Sequence, residues 1–450
     1  MSSRTSLLVL LIALGLSSCA SIAPPAQEAA LPFKATEHAG VWLSDGYGYA
    51  LDSRRGVRLF HVAGETCVED KTEGDDSIVA FYDRYRAADG GRTLLLSSTL
   101  DPYEVRFRRA ERLPEPCDAP MPSTPAANLQ AFSDYYARHY AYFDLYGVNW
   151  AERSAAMRKG VTGATTDREL FERMREAVAP LRDSHVKIEA KIDGKAAVHE
   201  GDRGRTKINP RAYWLDDIQR DLLGGKGRMV ANRRIQYGFV APGVGYLAFA
   251  SMGGFVDGEL ASIRKELPTL EAAMDEAIAH LDAGGARAMI VDVSFNTGGY
   301  DFIGLAIAGR FAERRTFAYG RRAGDDPTAR DFPIDVVPSG GPRFTGPVYL
   351  LTSDGTVSAC EVLTLAMRAL PNVTHAGERT RGAFSTVLTK YLPNGWELSL
   401  SNEIYTDPRG IVWEGRGIEP AVPLAVFYPD NPLQGHVEAV HALARSLEPR

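Results

Sequence analysis

From residue 244 onward the chain alternates strand-like and helix-like segments, and that alternation constrains its fold more than any other feature. Val244 to Ser251 reads as a strand ahead of a helix over Glu259 to Leu281; Ala286 to Val293 precedes a helix from Phe302 to Phe311; Pro347 to Thr352 precedes one from Val357 to Ala369. Strands joined by helical crossovers pair in parallel, so this half is predicted to be α/β, with helices packed on a largely buried sheet. The near-continuous apolar runs Ala288-Met-Ile-Val-Asp-Val293 and Val348-Tyr-Leu-Leu351 suit strands covered on both faces. In such sheets ligands bind beyond the carboxyl ends of the strands, so the residues that follow each strand are the first candidates for chemistry.

The first half is built on other periods. Residues 38 to about 110 hold short β-rich runs (Tyr47 to Leu51, Val57 to Val62, Ile78 to Tyr82, Thr93 to Ser98, Tyr103 to Phe107) separated by turn residues such as Ala-Asp-Gly-Gly at 88–91. They predict a small antiparallel sheet or barrel. The stretch Leu113-Pro-Glu-Pro-Cys-Asp-Ala-Pro-Met-Pro-Ser-Thr-Pro125 is too rich in proline to continue a sheet, and marks a boundary. From 127 to about 182 the period is helical. Phe132, Tyr136, Tyr140 and Phe143 recur at the spacing of one helix face and read as a core seam. Thr166-Asp-Arg-Glu169 is a capping box, and Leu170, Met174 and Val178 line one face of the helix it starts.

The N-terminus reads as an export signal: Arg4, then Leu7 to Leu16, apolar apart from Gly15, then Ser17-Ser18 as a small-residue cleavage site. That apolar run is shorter than the about 20 residues a membrane-spanning helix needs. Leu16-Ser17-Ser18-Cys19 resembles a bacterial lipobox, which implies lipidation of Cys19 at the mature N-terminus; an ordinary signal peptide with an incidental cysteine is the alternative. Ala20-Ser21 lacks the Asp of the inner-membrane sorting pattern, so the expected location is the outer membrane, facing the periplasm. Export to an oxidising compartment lets Cys67 and Cys117 pair. A bridge closing a loop of that length stabilises a fold by about 4 kcal/mol on the chain-entropy model, two buried free thiols being the alternative. Cys360 falls in a helical context and reads as a small core residue.

Composition removes several functions. Apolar residues make up 45% of the 450-residue chain and charged residues 24%, with a formal charge of −6 and no Lys/Arg-rich block. A nucleic-acid partner is not expected of such a chain, because phosphate backbones are gripped by basic faces. No Gly-x-x-x-x-Gly-Lys loop, His-Glu-x-x-His pair or Gly-x-Ser-x-Gly elbow is present, so neither a metal nor another cofactor is expected.

Four segments carry groups suited to acyl transfer. After the strand ending at Leu351, a helix begins within Thr352-Ser-Asp-Gly-Thr-Val-Ser358-Ala-Cys-Glu361. A serine at such a turn lies beside first-turn amides that have no intrahelical partner, so Ser358 would attack while the Ala359 amide holds the developing oxyanion. Plain N-capping by Ser358 is the alternative. After the strand ending at Val293 comes Ser294-Phe-Asn296-Thr-Gly298-Gly299, whose glycines suit a second oxyanion donor or a tight turn. A serine nucleophile requires a base. His185, in Asp183-Ser184-His185 between a helix and the alternating Val186 to Ala190, stands at a structural junction. Glu414, within Trp413-Glu414-Gly415-Arg-Gly417-Ile-Glu-Pro420, is either a solvated carboxylate or part of a site.

Taken together with Gly245 to Ser251 and Gly377-Glu-Arg-Thr380-Arg-Gly382, these segments resemble the tail-specific (C-terminal processing) serine peptidase family over about 130 to 425. The resemblance implies a crotonase/ClpP-like ββα-spiral core with a helical cap, and Ser358 as nucleophile. The Ser-Lys branch of that family places Lys after the glycine corresponding to Gly382, where this chain has Ala383; Lys390 is the nearest alternative. The branch that includes the tricorn core peptidase and is related to the retinoid-binding repeats uses a Ser-His pair and a distant Glu. By that resemblance His185 is the base, with Ser184 and Glu414 orienting and stabilising its imidazolium. The stretch between 190 and 243 is too short for the PDZ domain that processing proteases commonly insert.

The expected organisation is therefore a lipoprotein signal at 1–18, a tether at 19–37, a small β-rich domain at 38–119, a helical cap at 120–190 and a peptidase core at 191–450. The expected partners are a peptide or protein substrate and a membrane reached through the lipid anchor. The oligomeric state is left open. A non-catalytic ligand-binding protein on the same fold, or an esterase or amidase acting on another acyl substrate, remains the rival reading.

Overall fold

The computed structural model describes residues 38–72, 81–201, 214–257 and 263–447. The expected signal, Cys19 and the tether lie outside the described residues, as do positions 78–80 of one expected strand. Seven strands form the first sheet: β1 (Val41–Ser44), β2 (Tyr49–Asp52), β3 (Arg58–Ala63), β4 (Thr66–Glu69), β5 (Arg84–Ala88), β6 (Thr93–Ser97) and β7 (Val105–Ala110), in the order β4-β3-β2-β1-β7-β6-β5 and antiparallel throughout. Cys67 on β4 is disulfide-bonded to Cys117 in the proline-rich stretch after β7. β5 escapes the alternation rule because it is an edge strand with Arg84 and Arg86 exposed.

Four helices follow: α1 (Pro125–His139), α2 (Phe143–Tyr146), α3 (Trp150–Arg158) and α4 (Asp167–Val178). Thr166 caps α4 as its sequence requires, the Glu169 amide donating to Thr166 Oγ1 at 3.3 Å and the Thr166 amide to Glu169 Oε2 at 2.8 Å. The aromatic seam is real but not one helix face. α1 ends at His139 and Phe143 belongs to α2, yet the rings still pack in series at tilted angles, Phe132 on Tyr136 and Tyr140 on Phe143, each pair with centroids 4.8 Å apart.

The rest is α/β: β8 (Lys187–Ile192), β9 (Lys195–Glu200), β10 (Arg228–Val230), β11 (Ile235–Ala241), β12 (Val244–Phe249), α5 (Ile263–Ala283), β13 (Ala288–Asp292), α6 (Asp301–Gly309), β14 (Thr316–Ala323), β15 (Phe332–Val336), β16 (Val348–Thr352), α7 (Ala359–Arg368), β17 (Val373–Gly377), β18 (Val387–Tyr391), β19 (Glu397–Ser401), β20 (Glu403–Thr406), β21 (Val422–Pro423) and α8 (Pro432–Leu447). The central sheet runs β10-β11-β12-β13-β16-β17-β21 and is parallel from β12 to β21. Its strands are apolar on both faces because both are covered. Leu247 and Phe249 of β12 share a core with α5, α6 and α7, whereas Val244, Tyr246 and Ala248 pack with Val440, Leu443 and Ala444 of α8. Among the described residues no helix is long and apolar enough to cross a membrane.

Packing in the folded chain runs across positions 120 and 190. β8 runs through position 190, and a separate sheet ordered β18-β19-β8-β9 joins it to strands from beyond residue 386. One apolar cluster then combines Trp42, Leu51 and Leu94 of the first sheet with Phe132 and Trp150 of the helices and Leu388 and Leu398 of β18 and β19. Hairpin strands pair with whatever exposes a complementary edge, and a linear cut along the chain cannot represent that.

Candidate active site

The site forms where β13 and β16 end. Thr356 Oγ1 donates to Val293 O at 2.9 Å and Ser353 Oγ to Ser294 O at 2.6 Å, tying the loops after both strands together. Ser358 is the N-cap of α7, but it does not adopt the extended backbone usual there. Its φ is 59° and ψ −131°, a left-handed conformation that strains a residue with a Cβ by about 1–3 kcal/mol. The surroundings impose it. The Ser358 amide donates to Ala383 O at 3.0 Å and to Glu361 Oε2 at 3.3 Å, so the backbone is gripped from two sides. The hydroxyl lies 3.1 Å from His185 Nε2.

Gly298 presses against the nucleophile. Its φ is 102°, and a Cβ there would lie 2.6 Å from Ser358 Cβ, so only glycine fits. Asn296 sets this loop: Oδ1 accepts the Gly298 amide at 2.9 Å, Nδ2 donates to Phe249 O at 3.2 Å, and its carbonyl accepts the Val357 amide at 3.1 Å. The Gly298 amide is thus engaged within the loop, by Asn296. The amides of Gly299 and Ala359 donate to no acceptor among the described residues.

His185 is presented by a buried turn. Asp183 is fully buried; its Oδ1 accepts the His185 amide at 2.9 Å and its Oδ2 the Tyr140 hydroxyl at 2.9 Å. The sequence signalled this residue only as a neighbour of the histidine. Ser184 Oγ is buried and has no hydrogen-bond partner among the described residues. Glu414 is buried and its Oε2 accepts the amides of Phe384 at 2.8 Å and Ser385 at 3.1 Å. Glu361 accepts the Gly382 amide on Oε1 at 2.5 Å and the Ala383 amide on Oε2 at 2.7 Å. Four successive amides, 382 to 385, are thus held by two carboxylates, immediately beside the nucleophile. Glu361 was legible: Ser358-Ala-Cys-Glu361 has the Ser-x-x-Glu spacing in which the third helical residue returns to the cap amide.

Residues 243–424 match the model of peptidase family S41. That segment belongs to the family. The match supports a serine-type peptidase, a family whose substrates are peptides or proteins. The fold agrees with solved structures. The crystal structure of a peptidase-like protein of Parabacteroides merdae is similar at a TM-score of 0.60 and 24% identity, covering 73% of this chain and 98% of that one. Mature CPAF is similar at 0.51 and 12% identity, covering 71% of this chain and 96% of its own.

Lys390 stands apart from Ser358. It is buried on β18 with Nζ donating to Tyr47 O at 2.6 Å and Gly48 O at 3.2 Å, and 3.3 Å from His61 Nδ1. Burial lowers the Lys390 ammonium to about 7 and, with Lys390 beside it, His61 to about 4. Cys360 is buried, and burial raises its thiol, as suits a packing residue. A cavity of about 340 Å³ opens beside Ser358 and Gly299. Next to it Arg321 clamps Glu403 through Nε at 2.7 Å and a terminal nitrogen at 2.9 Å, and reaches Asp101 at 2.8 Å. Burial pushes the neighbouring Asp301 up to about 6, against the pull of Arg321.

Proposed function

We propose that the protein cleaves peptide bonds through an acyl-enzyme on Ser358, with His185 as general base. The observation that carries this is the 3.1 Å approach of His185 Nε2 to Ser358 Oγ, within the range a proton transfer needs. Ser358 Oγ bonds to the scissile carbonyl carbon as its proton passes to Nε2. The carbonyl oxygen becomes an oxyanion, and the Gly299 and Ala359 amides are assigned to hold it. Collapse breaks the C–N bond, and His185 gives its proton to the leaving amine. A water, deprotonated by the same nitrogen, then cleaves the ester and restores Ser358. Ser184 and Glu414 are assigned to orient the ring and stabilise the imidazolium, and Asp183 to fix the turn that carries it.

A fluorophosphonate probe tests the nucleophile. It should label the native protein and not Ser358→Ala; labelling that survives in Ser358→Ala would sink the assignment. His185→Gln should lower peptide hydrolysis by about 10⁴-fold with little change in Tm. The lipobox-like Leu16-Ser17-Ser18-Cys19 supports anchoring through Cys19 at the cell envelope. Palmitate incorporation that persists in Cys19→Ser would overturn that.

A further inference from the structure

The cavity beside Ser358 is walled by two parts of the chain that lie far apart in sequence. Gly299, Phe302 and Val387 come from the α/β part; Tyr47, Tyr82 and Tyr103 come from the first sheet and its connections. The first sheet does not merely lean on this opening. Gly46, Tyr47 and Gly48 all have positive φ, at 74°, 61° and 59°, forming a left-handed turn that enters the α/β part. A Cβ on Gly48 would lie 2.4 Å from the His139 ring, so the turn fits only as glycine. The Tyr47 amide donates to Asp325 Oδ1 at 3.1 Å, its carbonyl accepts Lys390 Nζ, and its hydroxyl donates to Glu403 Oε1 at 2.7 Å. Each polar atom of Tyr47 is thus bonded across the junction, and its ring is set in the cavity wall.

We propose that this cavity is the subsite for a substrate side chain adjacent to the scissile bond, that it selects aromatic and large aliphatic side chains, and that the first sheet is a specificity element completing it. The inference rests on Ser358 being the nucleophile. Aromatic rings form a large part of the wall, and burying a ring against rings is favourable by area and by edge and face contacts. The charged groups at its edge are already satisfied. Arg321 is bonded to Glu403 and Asp101 and lies 4.4 Å over the Tyr103 ring, and the Tyr405 hydroxyl donates to Asp301 Oδ2 at 2.6 Å. Three carboxylates therefore surround one guanidinium, which disfavours an incoming Asp or Glu side chain. The volume lies in the range of roughly 300–1,000 Å³ typical of small-ligand pockets, room enough for an indole. A larger cleft of about 600 Å³, beside Cys67 and Cys117, shares no lining residue with it.

The test is a set of internally quenched peptides, varied one position at a time on either side of the cleaved bond, with kcat/KM measured for the native protein, Tyr82→Ala and Val387→Trp. Val387 is 40% exposed at the rim, so a larger ring there narrows the opening without entering the core. At one position Phe, Tyr or Leu should exceed Asp by about 100-fold. Tyr82→Ala should reduce the aromatic preference by about 10-fold, and Val387→Trp should shift it toward Ala. A native preference for acidic residues, or an aromatic preference unchanged in both variants, would overturn the proposal. Fluorophosphonate labelling of all three proteins separates the two levels: native protein that fails to label overturns the Ser358 reading itself, whereas labelled proteins without the expected selectivity overturn only the subsite.

Discussion

Two buried polar regions of this molecule use charge in opposite ways. Around Ser358 the carboxylates of Asp183, Glu361 and Glu414 accept backbone amides: His185 for the first, Gly382 and Ala383 for the second, Phe384 and Ser385 for the third. At the junction between the first sheet and the α/β part, ionisable side chains meet one another: Arg321 pairs with Glu403 and Asp101, the His139 and His61 rings meet Asp325 and Asp70, and Lys390 lies among them. A carboxylate that gathers amides fixes the path of a loop, and so the position of a side chain that must attack or accept a proton. Ion pairs between elements fix how those elements sit together. The first kind of bond should govern turnover and the second stability.

The largest effect is expected where a buried charge loses its partner. Arg321→Met leaves Glu403, Asp101 and Asp301 without a cation in a buried cluster, and should cost about 3–5 kcal/mol in urea unfolding. Adding Glu403→Gln should recover part of that loss, because one stranded charge goes with it. If Arg321→Met unfolds at the native urea concentration, the junction is not held by charge and the comparison fails. Next in size is Glu361→Gln. The new amide group would face the Gly382 or Ala383 N–H, and the segment whose Ala383 carbonyl holds Ser358 would shift. A displacement near 1 Å costs about 100-fold in rate, so kcat/KM should fall by about that much, with a smaller stability loss than Arg321→Met. A stability loss with unchanged turnover would reverse the roles assigned to the two regions.

The same contrast explains what could be read from the sequence. Ser358 and the glycine pair were legible because strand ends in an α/β sheet are where sites form, and because a serine at a helix start and a Gly-Gly pair have local meanings. His185 and Glu414 became candidates through their motifs. Which glycine amide is free was not legible, because that depends on the Asn296 side chain turning back onto Gly298. Tyr47 read as the start of a strand, since Tyr47 and Tyr49 favour strands. The left-handed turn is imposed by Asp325, Lys390 and His139, residues 92 to 343 positions away or more than could be weighed locally. β8 likewise spans position 190 and finds its partner in the distant β19.

Lys390 offers the finest discrimination. β18 alternates, with Leu388 and Lys390 buried on one face, so the period places the lysine inward although its type argues outward. Burial brings its ammonium down to about 7, with Asp325 and Asp70 pulling the other way and His61 alongside. The unfolded chain binds a proton at this lysine up to its ordinary value near 10.5, whereas the folded chain has released it above about 7. Over that window the unfolded state holds more protons, so stability should rise with pH and level off below about 7. Lys390→Met abolishes the titration. The stability of the native protein relative to Lys390→Met should therefore grow by about 1–2 kcal/mol between pH 7 and 8.5, measured by urea unfolding. A gap that stays constant over that range would mean Lys390 keeps its charge in the fold, and the junction would then be a network of full ion pairs with no neutral amine at its centre.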